Sequence, residues 1–150
     1  MIATSLDHLN TIAKKVADNL SFEDCIFLIG EIGSGKTTLT RYLINYLQKK
    51  EQSEISEVLS PTFNLLYEYD INKYKIMHYD LYRIKKKEEL ENLEIFSTQK
   101  KDIKIIEWPE LVMKVPKDKL EIHIKYVKNK NHREIKFKGT GKWKNFKNEL

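Results

Sequence analysis

The chain has 150 residues, 41% hydrophobic and 33% charged, with 5 Gly, 3 Pro and 1 Cys, a composition that suits one domain with a real core and excludes disordered and collagen-like chains. Lone Cys25 excludes an internal disulfide and a cysteine zinc site, no apolar run approaches the ~18 residues of a membrane span, and Asp7, Lys14, Lys15 and Asp18 break up what would be a secretory leader, so the expectation is a cytoplasmic protein with no membrane partner. The net charge of +5 is uneven, with 12 basic and 4 acidic residues after position 113 against 15 and 18 before it, which fits either an anionic contact surface or a plain Lys bias.

Leu6, Leu9, Ala13, Val16 and Leu20 recur at helical spacing and predict a helix over 5–19. Cys25–Ile29 is a short apolar run ending at Gly30, the pattern of a buried strand. Leu39, Tyr42, Leu43, Tyr46 and Leu47 predict a second helix over 35–49. Phe63–Tyr69 and Tyr74–Tyr79 flank a polar turn and read as a hairpin, followed by a short charged helix over 86–95. Ile103–Glu107 is another apolar strand. Leu120–Val127 and Arg133–Lys138 alternate around Asn129-Lys130-Asn131-His132 as a second hairpin. The polar residues 141–150 are expected to form a loosely packed tail on a single domain, 1–150. Helices alternating with strands early and hairpins late predict an α/β fold with a mixed parallel and antiparallel sheet.

Gly30-Glu31-Ile32-Gly33-Ser34-Gly35-Lys36-Thr37 fits G-x-x-x-x-G-K-[ST] at every position, with an apolar strand before it and a helix after. Its glycines let backbone N–H groups turn toward phosphate oxygens, and the helix N-terminus adds its positive end. Lys36 reaches the β- and γ-phosphates and the Thr37 hydroxyl can ligate Mg²⁺. Gly139-Thr140-Gly141-Lys142 mimics part of the motif but is followed by Trp143 and opens no apolar helix, so it reads as a turn. A phosphate loop also needs a strand-end carboxylate to organise metal and water. Asp80 and Glu107 both end apolar runs and both qualify. His78 shares a strand face with Asp80, either as a base or as a hydrogen-bonded structural imidazole. Ser60-Pro61-Thr62-Phe63 is either a capped Pro turn or a loop that senses a γ-phosphate.

Four segments, Gly30–Leu39, Ser60–Phe63, His78–Arg83 and Ile106–Glu110, together resemble the TsaE (YjeE) family, the ATPase component of bacterial tRNA threonylcarbamoyladenosine biosynthesis. The resemblance covers about residues 4–141 and implies a three-layer, P-loop NTPase-like domain. It implies Mg-dependent ATP hydrolysis in support of a threonylcarbamoyl-transfer complex of TsaB and TsaD type that modifies adenosine 37 of tRNA, with direct tRNA contact left open. It further implies that Glu31, Ile32, Gly33, Ser34, Gly35, Lys36, Thr37 and Thr38 cradle the nucleotide. Thr37 and Glu107 become the metal-linked positions, Asp80 lies near the phosphates, and Lys36, Asp80 and Glu107 carry the catalysis. Rough alignment puts Arg133 where the family carries a nucleotide-side Arg. Two departures stand out: Tyr42 occupies a position that is usually Gly, and the Lys-rich C-terminus is no family motif.

GTP specificity is not expected, because Asp80-Leu81-Tyr82-Arg83 lacks the switch Gly and Asn129-Lys130-Asn131-His132 lacks the Asp that reads guanine. Two alternatives stay open: a small-molecule kinase, and a nucleotide-gated assembly module with little turnover. Three arginines and no spare lid segment count against the kinase.

Overall fold

The computed structural model describes residues 2–3, 5–97, 102–127 and 132–149. In chain order its elements are β1 (Ile2–Ala3), α1 (Leu6–Asp18), β2 (Cys25–Ile29), α2 (Lys36–Lys50), β3 (Leu66–Ile71), β4 (Tyr74–Asp80), α3 (Lys87–Glu91), β5 (Ile103–Glu107), β6 (Lys119–Tyr126) and β7 (Arg133–Thr140), with 3₁₀ turns at Pro109–Leu111 and Gly141–Glu149.

Five apolar residues in a row leave β2 no polar face, so it needs cover on both sides. It lies in the middle of a seven-stranded sheet of order β1-β7-β6-β2-β5-β4-β3. The β6, β2, β5 and β4 strands are mutually parallel, and β3, β7 and β1 close the edges antiparallel. One sheet face buries Ile26, Leu28, Ile76, Ile103 and Ile105 against α1 and α2. The other buries Cys25, Phe27, Met77, Tyr79 and Ile106 under Leu81, Ile84 and Ile95. The result is a three-layer α/β domain with a mixed sheet. Its parallel register sets Leu28 beside Glu107 and Asp80 beside Glu107, so the carboxyl ends of β2, β4 and β5 are level where α2 begins.

The Ser5 side chain accepts from the His8 N–H at 3.2 Å and starts α1 at its expected place. Three expectations need correction. The first hairpin strand begins at Leu66 rather than Phe63, because Leu65 N–H bonds Pro61 C=O at 2.6 Å and Leu65 turns to φ 65°. The charged helix is helical only over Lys87–Glu91 and then runs on as turns, with Glu94 at φ 46°. The residues expected to form a loose tail instead form a 3₁₀ turn over Gly141–Glu149, with Trp143 and Phe146 each 2% exposed. A three-residue period stacks these two rings on one face. They meet edge to face at 5.1 Å, and Phe137 meets Phe146 at 5.5 Å. Gly139 permits the close approach, since a Cβ there would sit 2.0 Å from the Trp143 carbonyl oxygen. The Asn129–Asn131 turn lies outside the described residues.

Candidate nucleotide and metal site

After Ile29 the chain must reverse into α2 within six residues, and glycine is required where it does so. A Cβ on Gly30 would lie 2.3 Å from the Ile124 carbonyl oxygen, and Gly33 and Gly35 adopt φ 74° and 113°. The helical ladder starts with Leu39 N–H to Gly35 C=O at 2.9 Å. The N–H groups of Lys36, Thr37 and Thr38 therefore precede the ladder, as an anion site at a helix N-terminus requires. The second hairpin steadies the loop. Tyr126 OH donates to Gly33 C=O, Arg133 Nε donates to Ser34 C=O at 2.9 Å, and the Arg133 guanidinium lies 4.0 Å over the Tyr126 ring. Arg133 thus reaches the loop itself, and Tyr126 is a loop contact that its position in an alternating strand did not announce.

Lys36 Nζ donates to the carbonyls of Gly30 at 2.7 Å and Glu31 at 2.9 Å and sits 4.3 Å over Trp108. Burial pulls its pKa below the ordinary lysine value, opposed by the charges of Glu107, Asp80 and Glu110. Thr37 Oγ1 donates to Glu107 Oε1 at 3.0 Å, and His78 Nε2 lies 2.9 Å from the same oxygen. Asp80 accepts from Thr62 Oγ1 at 2.8 Å and from the Tyr82 N–H at 3.0 Å, while Thr62 also meets Ser60 at 2.9 Å. Both carboxylates are buried, at 2% exposure each.

Of the two strand-end acids, Glu107 is the one that touches Thr37. The reason is strand order: β5 is the immediate neighbour of β2, and β4 is one strand further out. A cavity of about 260 Å³ opens between these groups, lined by Ile32, Gly33, Gly35, Lys36, Thr37, Thr38, Ser60, Thr62, Asp80, Tyr82, Glu107 and Trp108. Ser34 packs beneath the loop with its buried hydroxyl unpartnered. Glu31 is exposed, so its part in the loop is its backbone. A larger hollow of about 610 Å³ beside α3, lined by Leu90, Ile95, Phe96 and Val112, touches neither the glycine loop nor the two acids.

These groups fit a magnesium nucleotide. One buried lysine faces two buried carboxylates, and the hydroxyl–carboxylate pair stands at the mouth of an anion-binding loop. Among the described residues no cluster of three or more His, Cys, Asp or Glu could hold a metal alone. That donor set suits Mg²⁺, which keeps water and takes substrate phosphates instead of a protein cage. Of the other arginines, Arg41 Nε donates to Val58 C=O at 3.2 Å, and exposed Arg83 lies 5.5 Å over Phe63 in the loop that carries Ser60 and Thr62.

A family model described as threonylcarbamoyl adenosine biosynthesis protein TsaE matches residues 3–135. A Rickettsia prowazekii protein named tRNA threonylcarbamoyladenosine biosynthesis protein TsaE is 36% identical over 118 residues, covering 78% of this chain and 79% of that one. A Haemophilus influenzae protein of the same name is 41% identical over 88 residues, 57% of this chain and 51% of that one. The match to the Rickettsia conorii protein, 36% over 108 residues, spans 72% of this chain but 59% of that relative. The crystal structure of Bacillus subtilis YdiB aligns with a TM-score of 0.73 at 25% identity, covering 99% of this chain and 90% of that one.

Proposed function

The chain belongs to the TsaE family, and we propose that it binds ATP with Mg²⁺ and hydrolyses it in support of the threonylcarbamoyl transfer that modifies adenosine 37 of tRNA. The observation that carries this reading is the Thr37–Glu107 hydrogen bond of 3.0 Å beside buried Lys36 at the start of α2. Loop N–H groups from Glu31 to Thr38 bind the phosphates, and Lys36 supplies the nearest cation. Thr37 and Glu107 would hold the metal, directly or through water, and Mg²⁺ bound there would supply charge neutralisation to the phosphates.

Asp80, fixed by Thr62 and the Tyr82 N–H, accepts a hydrogen bond from the attacking water. A bond forms from that water to the γ-phosphorus as the bond to the β–γ bridging oxygen breaks, giving ADP and phosphate. Arg133 keeps the loop in shape through Ser34.

The site holds one lysine and, among the described residues, no arginine lines its cavity, Arg41 being bonded to Val58 C=O. Hydrolysis by the chain alone is therefore slow, and a partner complex of TsaB and TsaD type speeds it by closing the cleft. Contact with tRNA through that complex is sufficient for the role. No described helix is long and apolar enough to cross a membrane, and we assign the work to the cytoplasm. The Thr62–Asp80 hydrogen bond favours a second reading, in which ATP mainly sets the Ser60–Phe63 loop and gates assembly. Phosphate release from ATP, measured with Mg²⁺, with EDTA and with the partner proteins, tests both. Mg²⁺-dependent release stimulated by partners supports the ATPase. Partner binding that differs between ATP and ADP with no release supports the gate.

A further inference from the structure

We propose that His78 is a positioning residue that holds Glu107 through its Nε2–H and leaves the far carboxylate oxygen for the metal and its water; this rests on the Mg²⁺–ATP reading above. The placement follows from the sheet. In the parallel β4/β5 register His78 pairs with Ile105 and Asp80 with Glu107. His78 and Glu107 are therefore diagonal neighbours on one sheet face, close enough for a long side chain to bridge. The imidazole is wholly buried, and its Nε2 lies 2.9 Å from Glu107 Oε1.

A carboxylate only accepts hydrogen bonds, so the ring hydrogen sits on Nε2. Nδ1 is buried with no hydrogen-bond partner. A hydrogen there would be an unsatisfied buried donor, which costs about 1–3 kcal/mol. The arrangement selects the Nε2–H tautomer.

Thr37 Oγ1 donates to the same Oε1 at 3.0 Å. Both lone pairs of Oε1 are then taken, one by α2 and one by β4, and the carboxylate plane is fixed. Among the described residues Oε2 receives no hydrogen bond, and Glu107 lines the cavity between the glycine loop and Asp80. His78 does not line that cavity and is 0% exposed. It has no route to substrate or water, so it cannot be the base that its strand position beside Asp80 allows. It acts through Glu107, as outer residues around metal ligands do when they fix a ligand's orientation.

The test compares wild type, His78→Met and His78→Gln. Met fills similar space without a donor, and Gln restores an N–H near the Nε2 position. ADP and ATP affinities are measured by calorimetry with Mg²⁺ and with EDTA. The expected result is a loss of about tenfold or more in the Mg²⁺-dependent gain for His78→Met, unchanged affinity in EDTA, and recovery in His78→Gln. Equal losses in EDTA, or losses in both variants alike, would mean a packing role and overturn the proposal, as would an unchanged His78→Met. Wild type that gains nothing from Mg²⁺ overturns the nucleotide reading itself, a failure visible without any variant. Should His78→Met not fold, the wild-type ¹⁵N–¹H imidazole correlation still decides. Hydrogen on Nε2 alone is expected, and hydrogen on Nδ1 overturns the proposal.

Discussion

Replacing Lys36 by Ala removes the cation nearest the phosphates. The ammonium now spends its hydrogens on two loop carbonyls, at 2.7 and 2.9 Å, and lies 4.3 Å over the Trp108 ring. In the free protein its loss gives up those contacts, but it also removes a charge that burial already disfavours. These effects oppose each other, while buried Glu107 and Asp80 lose their nearest cation, so folding stability has to be measured separately from nucleotide binding. Nucleotide binding has no such compensation. A hydrogen bond to a charged group is worth about 1.5–3 kcal/mol, which corresponds to roughly ten- to 150-fold weaker ATP. Turnover should fall further, because the same cation faces the charge that develops on the γ-phosphoryl group. Urea unfolding, calorimetric ATP titration and phosphate release on one preparation separate the three. A folded Lys36→Ala chain that binds and hydrolyses ATP as wild type does would refute the phosphate-loop reasoning.

Glu107→Ala should raise the Mg²⁺ concentration needed for hydrolysis, whereas Asp80→Ala should lower turnover with the Mg²⁺ curve little changed; a shifted curve for Asp80→Ala alone reverses the two roles. Trp143→Ala should cost roughly 3–5 kcal/mol in urea unfolding, the range for a large buried aromatic, and a cost below about 1 kcal/mol would mean that the C-terminal turn is not part of the core. Burial pushes the Asp24 carboxyl above the ordinary carboxylate value, and hydrogen bonds from Lys142 and Ser21 work against that. A carboxyl whose folded pKa exceeds its unfolded one favours folding at low pH, a contribution lost as pH rises through the folded pKa. Lys142→Met should raise the Asp24 pKa further and so destabilise the chain more at pH 7 than at pH 4, which urea titrations at both values check.

The phosphate loop was legible because its chemistry is contiguous: one strand, eight residues and one helix specify backbone shape, cation and hydroxyl together. Thr37 and Glu107 are 70 residues apart, and the residue pattern by itself offered Asp80 as an equal candidate; only the family resemblance singled out Glu107. Strand order brings Glu107, not Asp80, into contact with Thr37, and local spacing does not reveal strand order. Tyr126 and Arg133 sit on an alternating hairpin strand pair with nothing to mark that one end meets the Gly33–Ser34 backbone. The 3₁₀ turn at the C-terminus was hidden by its lysines and asparagine. Only Trp143 and Phe146 carry its packing signal, and a three-residue spacing is too short to read as an amphipathic helix. Lys142 bonds Asp24, Asn19 C=O and Ser21 Oγ, so part of the C-terminal excess of cations serves the fold, a use that net charge does not reveal.

The most direct measurement is threonylcarbamoyladenosine formed on tRNA over many turnovers by the threonylcarbamoyl-transfer proteins, supplied with ATP and Mg²⁺ and with this chain as wild type, as Lys36→Ala, or absent. Sustained product only with the wild-type chain, accompanied by phosphate release that the partners accelerate, is the predicted result. Equal product with Lys36→Ala, or without the chain, would contradict it.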